Sequence, residues 1–226
     1  MESTNSRRYA LYAIGEVLLV MIGILLALQV NNWNEWKRDR LTEYKVLREL
    51  VKTIEVNNQR SRGFMQSIDN LQTASDSLIY LIENDRIDVH ITPLSYELAF
   101  RSGTNIYMSF AGYEELKNVG FDILQSDQIK SQIIELFDVV YQHDKEFINF
   151  MRANQPVYEN YIVDNFHSFN EGLVPEDKAA LFDDPKCLTL LRRIKWRRAN
   201  ITRHLDKAVS DGEKVLEMIR GELKEN

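Results

Sequence analysis

Residues 9–32 read YALYAIGEVLLVMIGILLALQVNN, and this stretch decides the architecture of the chain. Every residue from 17 to 28 is apolar or glycine, and Glu16 is the one charged residue in the stretch. As a helix, its apolar part is about 33 Å long, which is enough to cross a hydrocarbon core of about 30 Å. Aromatic residues typical of membrane borders flank it: Tyr9, Tyr12, Trp33 and Trp36. The stretch therefore predicts a transmembrane helix over residues 9–32.

A cleaved signal peptide is the main alternative to a retained anchor. Such a peptide has a shorter apolar region that ends in a small-x-small cleavage site. Residues 26–32 read LALQVNN, which lacks small residues at both required positions. This end of the apolar stretch favours an anchor that stays in the protein.

The orientation of the anchor has two opposing indications. Basic residues follow the apolar stretch more densely than they precede it: Lys37, Arg38, Arg40, Lys45 and Arg48. Under the positive-inside rule, this excess favours a cytoplasmic domain. A short tail with Arg7 and Arg8 before the apolar stretch is instead typical of an uncleaved export signal, which favours a domain outside the cytoplasm.

Three residues of the predicted span are candidates for assembly within the membrane. Glu16 is an ionisable group in an apolar segment, which is a functional-site hypothesis by default. The alternative is an interfacial carboxylate that reaches the headgroups, is protonated or pairs with another subunit. Gly23 and Ala27 are four residues apart, a spacing that lets two helices approach closely.

Residues 12–35 resemble the opening signature of an uncharacterised family of single-pass membrane proteins from Bacteroidota, a family without an assigned function. The stretches 113–120 (YEELKNVG) and 129–137 are similar to a softer pattern in the middle of that family's domain. The resemblance implies an inner-membrane anchor and a helical, periplasmic domain, with no catalytic residues to transfer. Family members usually begin with a longer basic leader, whereas this chain has only Arg7 and Arg8.

The composition of the rest of the chain limits the classes of function. The whole chain has 28 basic and 34 acidic residues, of which residues 41–226 hold 23 and 30. A net charge of −7 in that part argues against general nucleic-acid binding, which needs a positive field. The single cysteine, Cys187, forms no disulfide within the chain. We therefore predict no nucleic-acid partner.

The spacing of apolar residues predicts an all-α fold, in which the transmembrane helix continues into a stalk and an antiparallel helical bundle. Helices are predicted to begin at Thr92-Pro93, at Ser126 and at Asp184-Pro185, and to end at Gly103 and Gly120. The predicted elements are a tail (1–8), the membrane helix (9–32) and a soluble domain (33–226), which contains a stalk helix (33–84), short helices (92–120), a long helix (126–155), a loop (168–184) and a C-terminal helix (185–224). We expect Pro156 to kink or end the long helix and a turn of helix to follow Pro175.

Two apolar stripes of coiled-coil type define the expected bundle contacts. The stripe of the long helix is Ile129, Ile133, Leu136, Val140, Phe147 and Phe150. The stripe of the last helix is Cys187, Leu191, Ile194, Arg198, Ile201, Leu205, Ala208, Gly212, Val215 and Ile219.

A search for chemistry in the sequence finds no catalytic or metal-binding motif. The four histidines are His90, His143, His167 and His204, and none belongs to H-E-x-x-H or to a Glu-x-x-His pair. There is no nucleophile elbow and no glycine-rich phosphate loop. We therefore predict no enzyme activity, no metal and no cofactor.

A basic run interrupts the acidic domain near the start of the last helix. Its candidate anion-binding or partner-binding residues are Arg192, Arg193, Lys195, Arg197 and Arg198. They would bind an anionic ligand, a lipid headgroup or an acidic partner. The alternative is pairing within the chain, to the long-helix acids Glu135, Asp138, Asp144 and Glu146.

Three polar residues interrupt the apolar stripes: Asn58, His143 and Arg198. If they meet, they form a polar layer that fixes the register of the helices. A ligand pocket at that layer is the alternative.

Two function hypotheses follow from these patterns. The first is a membrane-anchored interaction or scaffold protein whose partners are the lipid bilayer and a second copy or another membrane or periplasmic protein. The second is a sensor-like periplasmic ligand-binding domain, which needs a partner because so few residues precede Tyr9. A metalloenzyme or hydrolase lacks any motif.

Overall fold

One helix joins the apolar stretch to the rest of the molecule. The computed structural model describes residues 3–101, 106–153, 155–167 and 171–224, and side chains within them from residue 15 onward, Val157 excepted. Helix α1 covers Ser3–Glu83 without interruption. From Gly15 it contains an apolar window long enough to cross a membrane, and none of that window is buried. The predicted continuity of the span and the stalk is therefore confirmed.

The other elements are mostly short helices between two long ones. In chain order they are α2 (Pro93–Phe100), α3 (Ala111–Val119), a 3-10 turn (Phe121–Ile123), α4 (Asp127–Ile134), a π-helical segment (Glu135–Tyr141), α5 (Gln142–Ala153), α6 (Pro156–Asn165), β1 (Phe166–His167), β2 (Val174–Pro175), α7 (Lys178–Asp183) and α8 (Pro185–Lys224). The all-α prediction is confirmed. The antiparallel two-residue pair β1–β2 was not predicted.

The helix ends follow the chemistry of their sequences. The Thr92 hydroxyl accepts a hydrogen bond from the Ser95 amide at 3.2 Å, and the Ser126 hydroxyl accepts one from the Ile129 amide at 3.3 Å. Gly120 follows α3 with a φ of +101°, a conformation that glycine adopts without strain. Pro156 begins α6, and Gly103 lies outside the described residues.

Helices α1 and α8 run antiparallel along the whole domain. Ion pairs between them fall in opposite order along the two helices: Arg40–Glu222, Glu55–Arg220, Arg62–Glu213, Asp76–Lys195 and Glu83–Arg192. All ten residues of the predicted α8 stripe are buried. The C-terminal end of α8 therefore returns to the part of α1 that follows the apolar window.

The core is divided into layers along the two long helices. Residues from Val46 to Ile54 pack with α3, α4, the π-helical segment and the second half of α8 near the apolar window. Leu78, α2, β1, α7 and the first half of α8 form the far layer. A smaller layer between them contains Ile68, Ile148, Ile201 and Leu205.

The predicted stripe of the long helix is correct only as far as Val140. Ile129, Ile133, Leu136 and Val140 are buried, but Phe150 is 64% exposed. The buried positions beyond them are instead Asp144, Ile148 and Met151. A π-helix places more residues in each turn than an α-helix, so the segment Glu135–Tyr141 advances the buried face by one residue.

Candidate functional site

The π-helical segment places the side chain of Asp144 in the interior of the domain. Asp144 lies in the first turn of α5 and is only 2% exposed. Its Oδ2 atom has no hydrogen-bond partner among the described residues. Most buried polar groups in proteins are paired, so an unpaired carboxylate oxygen calls for an explanation.

Two histidines face this carboxyl group. The Nδ1 atom of His204, on α8, lies 3.4 Å from Asp144 Oδ1, and the Nδ1 atom of His143 lies 3.9 Å from the same oxygen. The two imidazole rings are 5.1 Å apart between centroids. The His204 ring also stacks on Phe147 at 4.4 Å, which fixes its plane. The His143 side chain is 62% exposed, so the cluster is open to solvent on one side.

Burial perturbs the proton affinity of the cluster. It raises the pKa of Asp144 to about 7, because the charged carboxylate loses its hydration, while Lys207 acts in the opposite sense. Burial lowers the pKa of His204, and the nearby His143, Arg203 and Lys207 lower it further. A carboxyl group with a raised pKa therefore lies beside an imidazole with a lowered pKa, and both shifts favour the uncharged forms of the two groups.

The cluster also has the composition of a metal site. One donor atom from each of His143, Asp144 and His204 lies within 4.8 Å of the other two. Two imidazoles and one carboxylate are a donor set that Zn²⁺ and other divalent transition metals accept.

The predicted polar layer of Asn58, His143 and Arg198 is corrected by the structure. Asn58 is buried in α1, where its Oδ1 atom lies 2.8 Å from the position that a Cβ on Gly212 would occupy. His143 is displaced to the surface by the π-helical segment. Arg198 contacts Leu71 and Ser75, thirteen or more residues beyond Asn58 along α1, a separation of about 20 Å. The three residues therefore occupy separate places.

Arg198 on α8 connects that helix to α1 and to the end of α2 through hydrogen bonds. The guanidinium is fully buried and donates to the carbonyl oxygens of Leu98 and Ala99, both at 3.0 Å, near the end of α2. It also donates to the Leu71 carbonyl at 2.6 Å, to the Ser75 hydroxyl at 2.8 Å and to the Arg101 carbonyl. Burial lowers its pKa to about 10. Its donors are directed at backbone oxygens and at the Ser75 hydroxyl of the chain itself.

The predicted basic patch is divided in the structure. Arg192 pairs with Glu83 at 2.5 Å, and Lys195 pairs with Asp76. Arg197 is buried against the Tyr158 ring and donates to the Met151 carbonyl. Arg193 is exposed and lines a cavity of about 570 Å³, whose other lining residues include Tyr158, Tyr161 and Lys186.

The carboxylate partners of that patch, Glu83 and Asp76, are on α1 rather than on the long helix. Asp138 accepts a hydrogen bond from the Tyr113 hydroxyl at 2.5 Å, and Glu146 accepts one from Gln142 at 3.0 Å. Among the described residues, no ion pair joins the patch to Glu135, Asp138, Asp144 or Glu146, so the predicted pairing with these long-helix acids is wrong. Glu83 lies about 70 Å along α1 from Trp36, which also places the patch far from the apolar window.

The three span residues remain exposed. Glu16 and Ala27 lie on the exposed surface of α1, and a Cβ on Gly23 would meet nothing within 4 Å. Within the described chain, this surface is covered by no other element.

Comparisons with known proteins supply no further assignment. No family model, no curated protein and no solved structure matches this chain. The inferences about function therefore depend on the residues themselves.

Proposed function

We propose that this protein is a non-enzymatic, membrane-anchored interaction protein that holds a helical bundle rigidly at the bilayer surface and presents it to protein partners. The observation that carries this proposal is the continuity of α1, which includes both the apolar window and one of the two long helices of the bundle. A helix without a break transmits its position and rotation to everything packed on it.

The contacts just beyond the window support a rigid connection. Arg40 donates to Glu43 at 2.5 Å and to Glu222, near the end of α8, at 3.2 Å. Glu43 is buried and also accepts a hydrogen bond from the Gln125 amide at 2.8 Å. Glu43 is seven residues beyond Trp36, about 10 Å along the helix. The bundle therefore begins next to the membrane border instead of at the end of a flexible linker.

We place the domain in the periplasm and the anchor in the inner membrane. Arg7 and Arg8 directly before the apolar stretch support this orientation, as does the resemblance of residues 12–35 to the Bacteroidota family. The basic residues after the span support the opposite one.

A cysteine-labelling experiment tests the orientation. The native Cys187 is fully buried, so Glu171→Cys would supply one exposed thiol. We expect a membrane-impermeant maleimide to label this variant in spheroplasts without permeabilisation, while the unaltered chain stays unlabelled. Labelling that requires permeabilisation would place the domain in the cytoplasm.

A second experiment tests rigid presentation to partners. The full chain is cross-linked in cells, purified in detergent and compared by mass spectrometry with a variant that carries Gly-Ser-Gly-Ser after Trp36. The matched control carries seven alanines at the same point, which keep the helix continuous and nearly in phase. We expect a stoichiometric membrane or periplasmic partner whose recovery falls with the flexible insertion and is better retained with the helical one. Equal recovery with both insertions would contradict a rigid function.

A ligand-binding function that acts through a partner is the second candidate. The sequence placed the ligand pocket of this function at a layer that contains His143 and Arg198. The structure separates these two residues, so they do not line one pocket. The observation that favours this function is instead the unpaired carboxylate of Asp144 between two histidines.

A further inference from the structure

We propose that His143, Asp144 and His204 bind a divalent transition-metal ion such as Zn²⁺, with three protein donors and a fourth position open to solvent. The sequence predicts no metal site, because the ligands form no recognised motif. His143 and Asp144 are neighbours in the chain and His204 follows sixty residues later, on another helix. The helix packing brings the three together.

The distances are close to those that a metal requires. Donors at about 2.0–2.1 Å from a tetrahedral Zn²⁺ lie roughly 3.3–3.4 Å from one another. The His204 Nδ1 and Asp144 Oδ1 atoms are already 3.4 Å apart. The His143 Nδ1 atom lies 3.9 Å from Asp144 Oδ1 and must approach it by less than one ångström. Its exposed side chain has room for that rotation.

The unpaired oxygen of Asp144 is an independent indication of a ligand. Asp144 is almost completely buried, and its Oδ2 atom lacks a hydrogen-bond partner among the described residues. A cation between Asp144 and the imidazoles would compensate the carboxylate charge that burial leaves without hydration.

The donor set indicates which ions fit. Two imidazoles exclude a preference for Mg²⁺ or Ca²⁺, which favour oxygen ligands. Three protein donors with an exposed side leave one coordination position for water or for a group from a partner. Lys207 and Arg203 lie near the cluster and oppose a cation electrostatically, so the carboxylate is the ligand that makes the site attractive.

A bound ion would connect α5 to α8 directly after the π-helical segment. Phe147 stacks on His204 and covers one face of its ring, which holds the imidazole in one orientation. The site is therefore partly preformed and has an entry path beside His143.

Metal titration of the full chain in detergent tests the proposal. The chain is purified through a tag without histidine, treated with EDTA, dialysed and titrated with Zn²⁺ by calorimetry and with Co²⁺ by visible absorption. We expect one ion per chain, a Co²⁺ spectrum typical of nitrogen and oxygen ligands, and a higher unfolding midpoint with Zn²⁺. The decisive variant is His143→Ala, because an exposed side chain is replaceable without loss of the fold.

The variants separate metal binding from folding. We expect His143→Ala to weaken Zn²⁺ binding at least tenfold while its metal-free unfolding midpoint stays within about 2 °C of the unaltered chain. His90→Ala is the matched control, because His90 is also exposed and lies outside the cluster, and it should bind as the unaltered chain does. The proposal is overturned by a lack of saturable binding, or by binding that persists in both His143→Ala and His204→Ala.

Discussion

The Nδ1 atom of His204 on α8 lies 3.4 Å from the Oδ1 atom of Asp144 on α5. Burial shifts the pKa values of the two groups in opposite directions, upward for Asp144 and downward for His204. Tyr141 and Lys207 also interact electrostatically with Asp144. The pair therefore links the stability of the α5–α8 contact to pH.

We expect Asp144→Asn to stabilise the metal-free chain at pH 8.5 by about 2–4 kcal/mol, and to lose this advantage near pH 4. Burial raises the folded-state pKa of Asp144 to about 7, above the unfolded value near 3.9. The folded chain therefore binds the proton more tightly, and ionisation of Asp144 destabilises it increasingly as the pH rises through that window. Urea unfolding with EDTA at both pH values measures the difference.

The exposed residue Asp69 provides the control for this comparison. Asp69→Asn should change the free energy of unfolding by less than about 0.5 kcal/mol at either pH, as is usual for surface substitutions. An advantage of Asp144→Asn that is the same at pH 4 and pH 8.5 would contradict the assignment of the pH dependence to this carboxyl group.

We expect deletion of Val139 to be tolerated unusually well. Val139 is exposed within the π-helical segment, and removing one residue there allows the segment to become α-helical while Asp144, Ile148 and Met151 stay on the buried face. The loss of stability should be below about 2 kcal/mol, less than a core disruption costs. Circular dichroism during urea unfolding measures it.

Deletion of Ala199 is the matched control. Ala199 is exposed in the middle of α8, which has no π-helical segment to absorb the change. Every later residue of the α8 stripe would rotate by about 100°, so we expect this deletion to cost at least about 4 kcal/mol or to prevent folding. Similar losses for the two deletions would show that the π-helical segment is not the source of the register shift.

Local signals predicted most of the fold, and the exceptions have two physical origins, a change of helix type and the alignment of two distant helices. The cap at Ser126 and the full stripe from Cys187 to Ile219 depend on spacing within one regular helix, so the sequence is sufficient for them. Asp144 occupies the buried position that the sequence pattern gave to His143. This shift depends on a change of helix type, which no residue in the segment signals. The ion pair of Arg192 with Glu83 joins residues 109 positions apart and depends on the alignment of α1 with α8, which a single sequence does not specify.

We expect Arg198→Met to destabilise the chain by about 3 kcal/mol or more. The substitution removes the donors that satisfy the carbonyl oxygens of Leu98 and Ala99 and the hydroxyl of Ser75. Buried acceptors without partners cost about 1–3 kcal/mol each, and methionine replaces only the side-chain volume. The midpoint of urea unfolding in detergent gives the change.

Arg197→Met is the neighbouring control, and its cost should be within about 1 kcal/mol. Arg197 is also buried, but its Nε and Nη1 atoms have no hydrogen-bond partners among the described residues. Removing unsatisfied donors offsets the loss of its contact with Tyr158 and its bond to the Met151 carbonyl. If both variants lost equal stability, the hydrogen bonds of Arg198 would not explain its burial.

We expect Gly112→Ala to destabilise the chain by about 2 kcal/mol and Gly63→Ala to stabilise it by about 0.5–1 kcal/mol. A Cβ on Gly112 would lie 2.7 Å from the Glu49 carbonyl oxygen and 2.8 Å from the Thr53 hydroxyl, so α3 and α1 would have to separate. A Cβ on Gly63 meets nothing within 4 Å, and alanine favours the helical conformation there. Urea unfolding of the full chain in one detergent measures the free energies of unfolding of both variants. Gly112→Ala without loss of stability would mean that α3 does not pack as closely on α1 as these distances require.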